Sequence, residues 1–372
     1  MKKVSFYSLL LSLLMAAIFS LVACNNAEKK PEQGKLSIVA TIYPEYAWHK
    51  ESLGSRADSV DLTLLIKNGV DLHSYKPTAQ DIAKIASANM VVYVGGESDE
   101  WIKDALEASP KKDRAEVNLM AALGDRVKAE EVVEGMQAEH EEHHHHGEHA
   151  EEHEHHEHHD EHADPSTSSG TKEHHDEHAE AHEHHHHDHE EEVENDEHVW
   201  LSLKNAEILV QKNTAELAKI DPAHASLYNE NTTDYVAKIK ALDGDYRTAV
   251  ESASRKTVLF GDRFPFRYLV DDYGLKYYAA FVGCSAESEA SFETIAFLAG
   301  KMDSESLPAI FTIEKGNKKI ANAVLAASKN SKEAQILTIN SMQSITEQQI
   351  AEGISYLSIM QTNLDVLKKA LN

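Results

Sequence analysis

The stretch His224–Ser254, HASLYNENTTDYVAKIKALDGDYRTAVESAS, decides the fold. Its apolar and aromatic residues recur at the spacing of one helix face, namely Leu227, Tyr235, Ile239, Leu242, Tyr246 and Val250. At 1.5 Å per residue such a helix is roughly 45 Å long, which is enough to run the length of two lobes. The sequence on either side of it is therefore expected to form two separate lobes.

Before this helix, short apolar runs alternate with helical segments. The predicted strands are Ser37–Ile42, Val60–Ile66, Met90–Val94 and Glu116–Met120, and the predicted helices are Pro44–Leu53, Thr78–Ala88, Trp101–Ala108 and Ala206–Ala218. Thr78 stands at an N-cap position with Asp81 three residues later, which is the spacing of a capping box. Short apolar strands separated by helices predict a parallel sheet.

After the helix the same alternation begins again. The predicted strands are Thr257–Phe260, Lys276–Phe281, Ala309–Ile313 and Gln335–Ile339, and the predicted helices are Phe266–Tyr273, Ser291–Met302, Lys318–Ala327 and a closing amphipathic helix, Thr346–Lys369. The fold class is therefore predicted as α/β, with two lobes, each a parallel sheet flanked by helices, joined by one long helix. Residues 36–136 are assigned to the N-terminal lobe, 198–254 to its end and the linking helix, and 255–372 to the C-terminal lobe.

The N-terminus has the features of a bacterial lipoprotein precursor. Lys2 and Lys3 precede an apolar run, and the small residue Ala23 stands directly before Cys24. We interpret residues 1–23 as a lipoprotein signal peptide, Cys24 as the lipidated residue and 24–35 as a polar tether. The alternative is a transmembrane anchor, since an apolar run of about 20 residues can span a bilayer, but it gives Cys24 no role.

Residues 137–197 interrupt the strand–helix pattern. This tract holds 21 histidines between His140 and His189, interleaved with carboxylates and without apolar periodicity. We interpret it as a disordered loop that binds metal ions weakly, because imidazole suits zinc, copper, nickel and iron. Its densest histidines are His140, His143, His144, His145, His146, His184, His185, His186 and His187. A simple solvated spacer is the alternative.

The charge distribution excludes a nucleic-acid partner, and the cysteine content excludes an internal disulfide. The tract carries most of the formal net charge of −27, and no basic stripe elsewhere could meet phosphates, so nucleic acid is excluded as a partner. The cysteines are Cys24 and Cys284. With Cys24 lipidated, no internal disulfide can form.

Two histidines outside the tract stand at positions suited to a binding site. His73 lies in Gly69–Thr78, GVDLHSYKPT, directly after the second predicted strand. That is the carboxyl end of a parallel strand, where α/β proteins bind ligands. His198 lies in Asp196–Leu201, DEHVWL, where the strand–helix pattern resumes.

These two motifs resemble those of the metal-binding lipoproteins of zinc and manganese ABC transporters, the cluster A-I (cluster 9) solute-binding proteins. GVDLHSYKPTAQD at Gly69–Asp81 is similar to the family pattern G-x-D-P-H-x-Y-E-P-x-x-x-D, and DEHVWL is similar to D-P-H-x-W-L. The likeness runs from ATIYPEYAW at Ala40–Trp48 to the closing helix. The resemblance implies that His73 and His198 are metal ligands. It also implies a zinc-type member, since these carry a histidine-rich insertion before the second motif.

The predicted second lobe departs from the family pattern at both of its expected ligand positions. Gly261 stands where the family has the histidine of H-x-A-F, and Asn340 stands where it has the acid of T-L-D-P-L. The second-lobe ligands are therefore predicted as Asp262 and Glu314, with Glu287 and Cys284 as alternatives.

Together these features predict an extracytoplasmic substrate-binding lipoprotein that captures a divalent transition metal between its lobes and delivers it to an ABC transporter permease. Two imidazole nitrogens with carboxylate oxygens suit Zn²⁺, and Mn²⁺ or Fe²⁺ is compatible. We expect a monomer anchored by lipid on the extracytoplasmic face of a bacterial membrane, in a periplasm or on the outer surface.

An enzyme is not expected, because the chain has no G-x-S-x-G or CxxC, and no HExxH outside the tract. The alternatives are a surface metal buffer or adhesin that uses the tract, and a zinc-dependent hydrolase.

Overall fold

The computed structural model describes residues 35–137, 194–285, 289–329 and 334–372, which contain two four-stranded parallel sheets. Cys24, the histidines of the tract and Glu287 lie outside the described residues, so what the sequence suggests for them stays a prediction. No helix within the described residues is both long enough and apolar enough to cross a membrane.

The first lobe is a parallel sheet with the strand order β2-β1-β3-β4. Its strands are β1 (Ser37–Ala40), β2 (Asp61–Leu64), β3 (Met90–Tyr93) and β4 (Ala115–Asn118), and its helices are α1 (Tyr43–Leu53), α2 (Ala79–Ser87), α3 (Trp101–Ala108) and α4 (Leu119–Leu123). Ile38 of β1 pairs with Leu62 on one side and Met90 on the other, and it is fully buried. Thr78 and Asp81 form the predicted capping box at the start of α2.

Two helices follow the first sheet, α5 (Leu203–Ile220) and α6 (Ala225–Ser252). The 28 residues of α6 span about 42 Å and confirm the predicted linking helix. It packs against α1 and α5 through a buried face made of Tyr228, Thr232, Tyr235, Val236, Ile239, Leu242, Tyr246 and Val250.

The second lobe repeats the architecture with the strand order β6-β5-β7-β8. Its strands are β5 (Thr257–Phe264), β6 (Lys276–Val282), β7 (Ala309–Ile313) and β8 (Gln335–Ile339), and its helices are α7 (Arg267–Tyr273), α8 (Phe292–Ser304), α9 (Lys319–Ala327), α10 (Glu347–Ala351) and α11 (Tyr356–Leu371). α11 packs against both α6 and β8. One apolar cluster includes buried residues of both lobes, from Ile38 to Leu371, so the lobes share a core.

The second lobe differs from the sequence-based prediction in two places. β5 continues past Phe260, and its pairing with β6 shifts register between Phe260 and Arg263, which is the signature of a bulge. The predicted single closing helix is wrong, because α10 and α11 are separate helices. Ser355 starts the second one: its hydroxyl accepts the Ser358 N–H at 3.1 Å and caps the new helix.

Candidate metal centre

His73 is held in a short 3₁₀ turn, Leu72–Ser74, that follows β2. Its backbone N–H donates to Asp71 Oδ1 at 3.1 Å, which fixes the turn. The ring Nδ1 lies 2.6 Å from Ser98 Oγ and 3.8 Å from Glu197 Oε2. The ring is therefore oriented through Nδ1, and Nε2 points away from these partners.

His198 is fully buried and is oriented in the same way. Asp196 Oδ1 accepts both the backbone N–H of His198, at 2.8 Å, and the ring Nδ1–H, at 2.9 Å. Because an ionised carboxylate only accepts hydrogen bonds, Nδ1 carries the proton and Nε2 keeps a free lone pair. A carboxylate on one ring nitrogen of a histidine is the usual way to aim the other nitrogen at a metal ion.

The two imidazoles converge on one point. His73 Nε2 and His198 Nε2 are 3.2 Å apart, and the Gln343 side-chain amide nitrogen lies 2.9 Å from each of them. An amide NH₂ group has two hydrogens, so it can donate one to each lone pair; this assignment rests on the hydrogen-bond partners. Burial, and then the neighbouring His198, lowers the pKa of His73 to about 3. Neutral imidazole is the form that binds metal.

A cavity of about 450 Å³ opens beside the imidazole pair, between loops of the two lobes. Gly69 and Asp71 line it from the first lobe, and Asp262, Glu314 and Gln343 line it from the second. These residues follow β2 or lie within or after β5, β7 and β8, toward the carboxyl ends of the strands, where ligands bind in parallel sheets.

The two predicted carboxylate ligands line this cavity, but backbone N–H groups already occupy them. Asp262 accepts the N–H of Arg263 at 2.9 Å and that of Ile313 at 3.2 Å. Burial raises the pKa of the Asp262 carboxyl. Burial also raises the pKa of the Glu314 carboxyl.

Glu314 connects the loops after β7 and β8. Its carboxylate accepts the Ser341 N–H at 2.7 Å, the Ser341 hydroxyl at 2.8 Å and the Gln343 N–H at 3.1 Å. Glu314 therefore holds the loop that carries Gln343.

Within the described residues, one group of three potential metal ligands lies close together, and it consists of His73, His198 and Cys284. One ligand atom from each lies within 4.8 Å of the others. Cys284 lies two residues after the end of β6, and its backbone N–H donates to Glu130 Oε1 at 3.2 Å. Burial raises the pKa of the Cys284 thiol, and the charges of Glu130 and Asp196 raise it further. The structure thus brings together the two predicted histidines and one of the alternative donors.

The two positions that depart from the family pattern have structural roles in this chain. A Cβ atom at Gly261 would lie 2.7 Å from Ala321 Cα of α9, so no side chain fits there without a shift of backbone. Asn340 Oδ1 accepts the Met342 N–H at 2.7 Å and shapes the loop after β8. Gln343 was not expected from the sequence, where its one signal is a place in a loop at the carboxyl end of a strand.

Comparison with known proteins gives consistent matches over nearly the whole chain. The family model described as ZnuA, zinc-uptake complex component A periplasmic, matches residues 38–178 and 163–370. The high-affinity zinc uptake system protein ZnuA of Bacillus subtilis (strain 168) is 30% identical over 362 residues, which cover 96% of each chain. The zinc-binding lipoprotein AdcA of Streptococcus pneumoniae serotype 4 is 31% identical over 366 residues, which cover 96% of this chain and 60% of AdcA.

Solved structures share the two-lobed fold. The metal-dependent lipoprotein YcdH of Bacillus subtilis superposes with a TM-score of 0.64 at 25% identity, covering 91% of this chain and 100% of YcdH. The Zn(II)-bound ZnuA-like domain of Streptococcus pneumoniae AdcA superposes with a TM-score of 0.61 at 25% identity, covering 91% of this chain and 99% of that domain. The periplasmic zinc binding protein TroA of Treponema pallidum, at 19% identity and a TM-score of 0.63 over 91% of this chain and 99% of TroA, supports the fold alone.

Proposed function

Because this chain belongs to the family of zinc-uptake complex component A proteins, we propose that it captures zinc outside the cytoplasm and delivers it to the permease of an ABC transporter. Proteins of this family bind and hand over a solute, so the chain is a transport protein and not an enzyme. Zinc is its cargo and not a resident cofactor.

The convergence of His73 and His198 is the observation that supports this function. Their Nε2 atoms are 3.2 Å apart, and the Nδ1 atoms are held by Ser98 and Asp196. Zinc binds imidazole nitrogen at about 2.0–2.1 Å, so two ligands of one tetrahedral ion lie about 3.3 Å apart. The pair is therefore nearly at the spacing that one zinc ion requires, and zinc would take the place of the Gln343 amide that now bridges the two Nε2 atoms. Two imidazoles also favour zinc over manganese, which prefers oxygen ligands.

The location that fits this function is the outer face of the cell membrane. Cys24, lipidated on its thiol and left as the first residue once residues 1–23 are removed, would hold the protein there as a monomer through residues 24–35. Acyl chains contribute about 0.8 kcal/mol per buried methylene, so more than one chain gives a stable anchor. Capture at the membrane surface places the loaded protein beside its permease.

The histidine-rich tract is proposed as an auxiliary site that collects zinc near the main one. The described residues on either side of 139–193 are paired, because Glu130 N–H donates to Glu194 O and Asp196 N–H donates to Lys128 O, each at 2.8 Å. Residues 139–193 can therefore be removed while the paired ends remain.

The test is a zinc titration of the tract-deleted protein with the variants His73→Ala and His198→Ala. Each should weaken zinc binding at least tenfold, on the order of 1.4 kcal/mol. His224→Ala, which removes a half-buried histidine hydrogen-bonded to Asp221, is the matched control and should bind like the parent.

Two outcomes would contradict the proposal. Unchanged affinity in both variants would place the zinc site elsewhere. Loss of most tight binding on tract deletion alone would make the protein a surface buffer.

A further inference from the structure

Cys284 lies at the edge of the imidazole pair. It follows β6 in a turn with Gly283, and a Cβ atom at Gly283 would lie 3.0 Å from His198 Cε1 and 2.9 Å from Phe264 O. The glycine thus lets the backbone press against the ring of His198. The next residue in the chain is Cys284. Its sulfur and one ring nitrogen of each of the two histidines all lie within 4.8 Å of one another.

We propose that the Cys284 thiolate is the third protein ligand of the zinc ion, so that the site is His₂Cys with its sulfur donor from the second lobe. The inference rests on the proposed function, since it concerns the same ion. It assigns the second-lobe donor to the loop after β6, and not to β5 or the loop after β8.

Zinc binding requires two adjustments: the Gln343 amide, which lies 2.9 Å from both Nε2 atoms, must withdraw from them, and the Cys284 sulfur must come closer. Zinc binds thiolate at about 2.3 Å and imidazole at about 2.0–2.1 Å, so the donors of a tetrahedral site lie about 3.3–3.6 Å apart. The imidazole nitrogens are already at 3.2 Å, and no pair in the group exceeds 4.8 Å. Cys284 follows β6 after Gly283, and its backbone N–H is anchored to Glu130. Approach of the Cys284 sulfur to the imidazole nitrogens completes the site.

Other second-lobe donors are less available. Position 261 has no space for a side chain, and the Asn340 amide oxygen is used within its own loop. The carboxylates of Asp262 and Glu314 accept two or more hydrogen bonds each from N–H and hydroxyl groups of the second lobe.

The charges around the site favour this assignment. Asp196 and Glu197 lie behind the two imidazoles, and Glu130 holds the backbone of Cys284. Such a set of carboxylates attracts a divalent cation. When zinc binds, the Zn–S bond forms, the S–H bond breaks and the proton leaves to solvent, while the sulfur keeps the electron pair.

A thiolate ligand also sets the choice of metal. Sulfur is a soft donor that selects zinc and cadmium over manganese, whereas carboxylates suit manganese. The replacement of the family's second-lobe histidine and acid by one thiolate therefore specialises this chain for zinc.

Cobalt(II) substitution of the full chain, purified in detergent with its tract, tests the proposal. A Co–thiolate bond gives a charge-transfer absorption in the near ultraviolet, whereas imidazole and carboxylate ligands do not. The tract contains no cysteine, so cobalt bound there cannot contribute this band. We expect the band in the parent, its loss in Cys284→Ser, and its retention in Cys24→Ser, which removes the other thiol.

Zinc and manganese affinities give a second readout. Cys284→Ser should weaken zinc binding at least tenfold and change manganese binding less, with thermal unfolding of the metal-free variants as the folding control. A parent spectrum without the charge-transfer band, or a band that survives Cys284→Ser, overturns the proposal.

The histidine variants separate this inference from the proposed function. Visible bands of four-coordinate cobalt that depend on His73 but lack the charge-transfer band would keep the function and reject Cys284. A charge-transfer band that needs Cys284 but persists in both His73→Ala and His198→Ala would instead reject the proposed imidazole site.

Discussion

Arg263 of the second lobe donates a hydrogen bond from Nη2 to Asp71 Oδ2 of the first lobe at 2.7 Å. The other oxygen of the same carboxylate accepts the backbone N–H of His73. Although burial raises the pKa of Asp71, the guanidinium of Arg263 holds it below its ordinary value. One carboxylate therefore connects the closure of the lobes to the position of a proposed zinc ligand.

Breaking this link should accelerate the release of zinc. In Asp71→Asn the ion pair with Arg263 is lost while an oxygen remains for the His73 N–H. We expect zinc affinity to fall about three- to tenfold, roughly 1 kcal/mol, chiefly through faster dissociation. Stopped-flow transfer of zinc to a chelator measures the rate. Arg247→Ala, which breaks an exposed ion pair with Asp243 on α6, is the control. Equal dissociation rates in the parent and Asp71→Asn would show that the link does not restrain the site.

Restoring the family's histidine at position 261 should fail to restore a ligand. Any Cβ there meets Ala321 Cα at 2.7 Å and Ala321 N at 2.9 Å. Even Gly261→Ala is expected to lower the free energy of unfolding by about 1–3 kcal/mol through overpacking. Gly261→His should be less stable still and should not rescue zinc binding in Cys284→Ser.

Urea denaturation and zinc titration check this prediction. Gly244→Ala is the matched control, because nothing lies within 4 Å of its added Cβ in α6, and it should stabilise the protein by about 0.5–1 kcal/mol. A stable Gly261→His protein with restored zinc affinity would contradict the packing argument.

The capping box of α2 should make stability depend on pH in the acidic range. Burial alone would raise the pKa of Asp81. Hydrogen bonds from Thr78, Tyr75 and Lys84 outweigh this effect and lower the pKa from 3.8 to about 2. A folded-state pKa below the unfolded value means that this contribution is complete above about pH 4 and is lost as the pH falls toward 2.

Asp81→Asn should therefore lower the free energy of unfolding by about 1 kcal/mol at pH 7, with the difference vanishing near pH 2. Metal-free protein unfolded in urea across this pH range gives the measurement. The exposed Asp58→Asn serves as control. If the free energies of unfolding of the parent and Asp81→Asn differ by the same amount at pH 7 and pH 2, the carboxylate is not the source of the difference.

Lipid anchoring depends on a single thiol. Cys24→Ser should move the protein out of the detergent phase on phase partition, either secreted or as unprocessed precursor. Cys284→Ser should stay in the detergent phase, since it leaves Cys24 intact. A Cys24→Ser protein that remains in the detergent phase would indicate an uncleaved transmembrane anchor.

The sequence predicted the fold well because buried parallel strands leave a local signal. Each of the eight strands in the described part of the chain is a short run that lies between helical segments. The long helix α6 could likewise be predicted from the spacing of its apolar residues. The break in the predicted closing helix could not be seen in the sequence because the apolar periodicity continues across it. The N-cap at Ser355 starts the second helix and so separates α11 from α10.

The two histidines that converge in the structure could be selected from the sequence, since His73 and His198 lie in local motifs; that they bind zinc stays a prediction. The second-lobe donor could not be selected in this way. Whether Asp262 or Cys284 reaches the imidazoles depends on which way two loops face after packing, and on the approach of β5 to α9 at Gly261. Gln343 shows the same limit, because its amide meets two rings that are distant from it in sequence.

The contact between Gly261 and Ala321 also restricts the route by which the ligand set can change over generations. A histidine at 261 is unfavourable while α9 lies so close, and a displaced α9 brings no gain while 261 is a glycine. The two positions must change together, because residues in direct contact have non-additive effects on stability. A histidine on this strand would therefore require coupled changes at 261 and 321, whereas a donor on the neighbouring loop requires neither and is the more accessible solution.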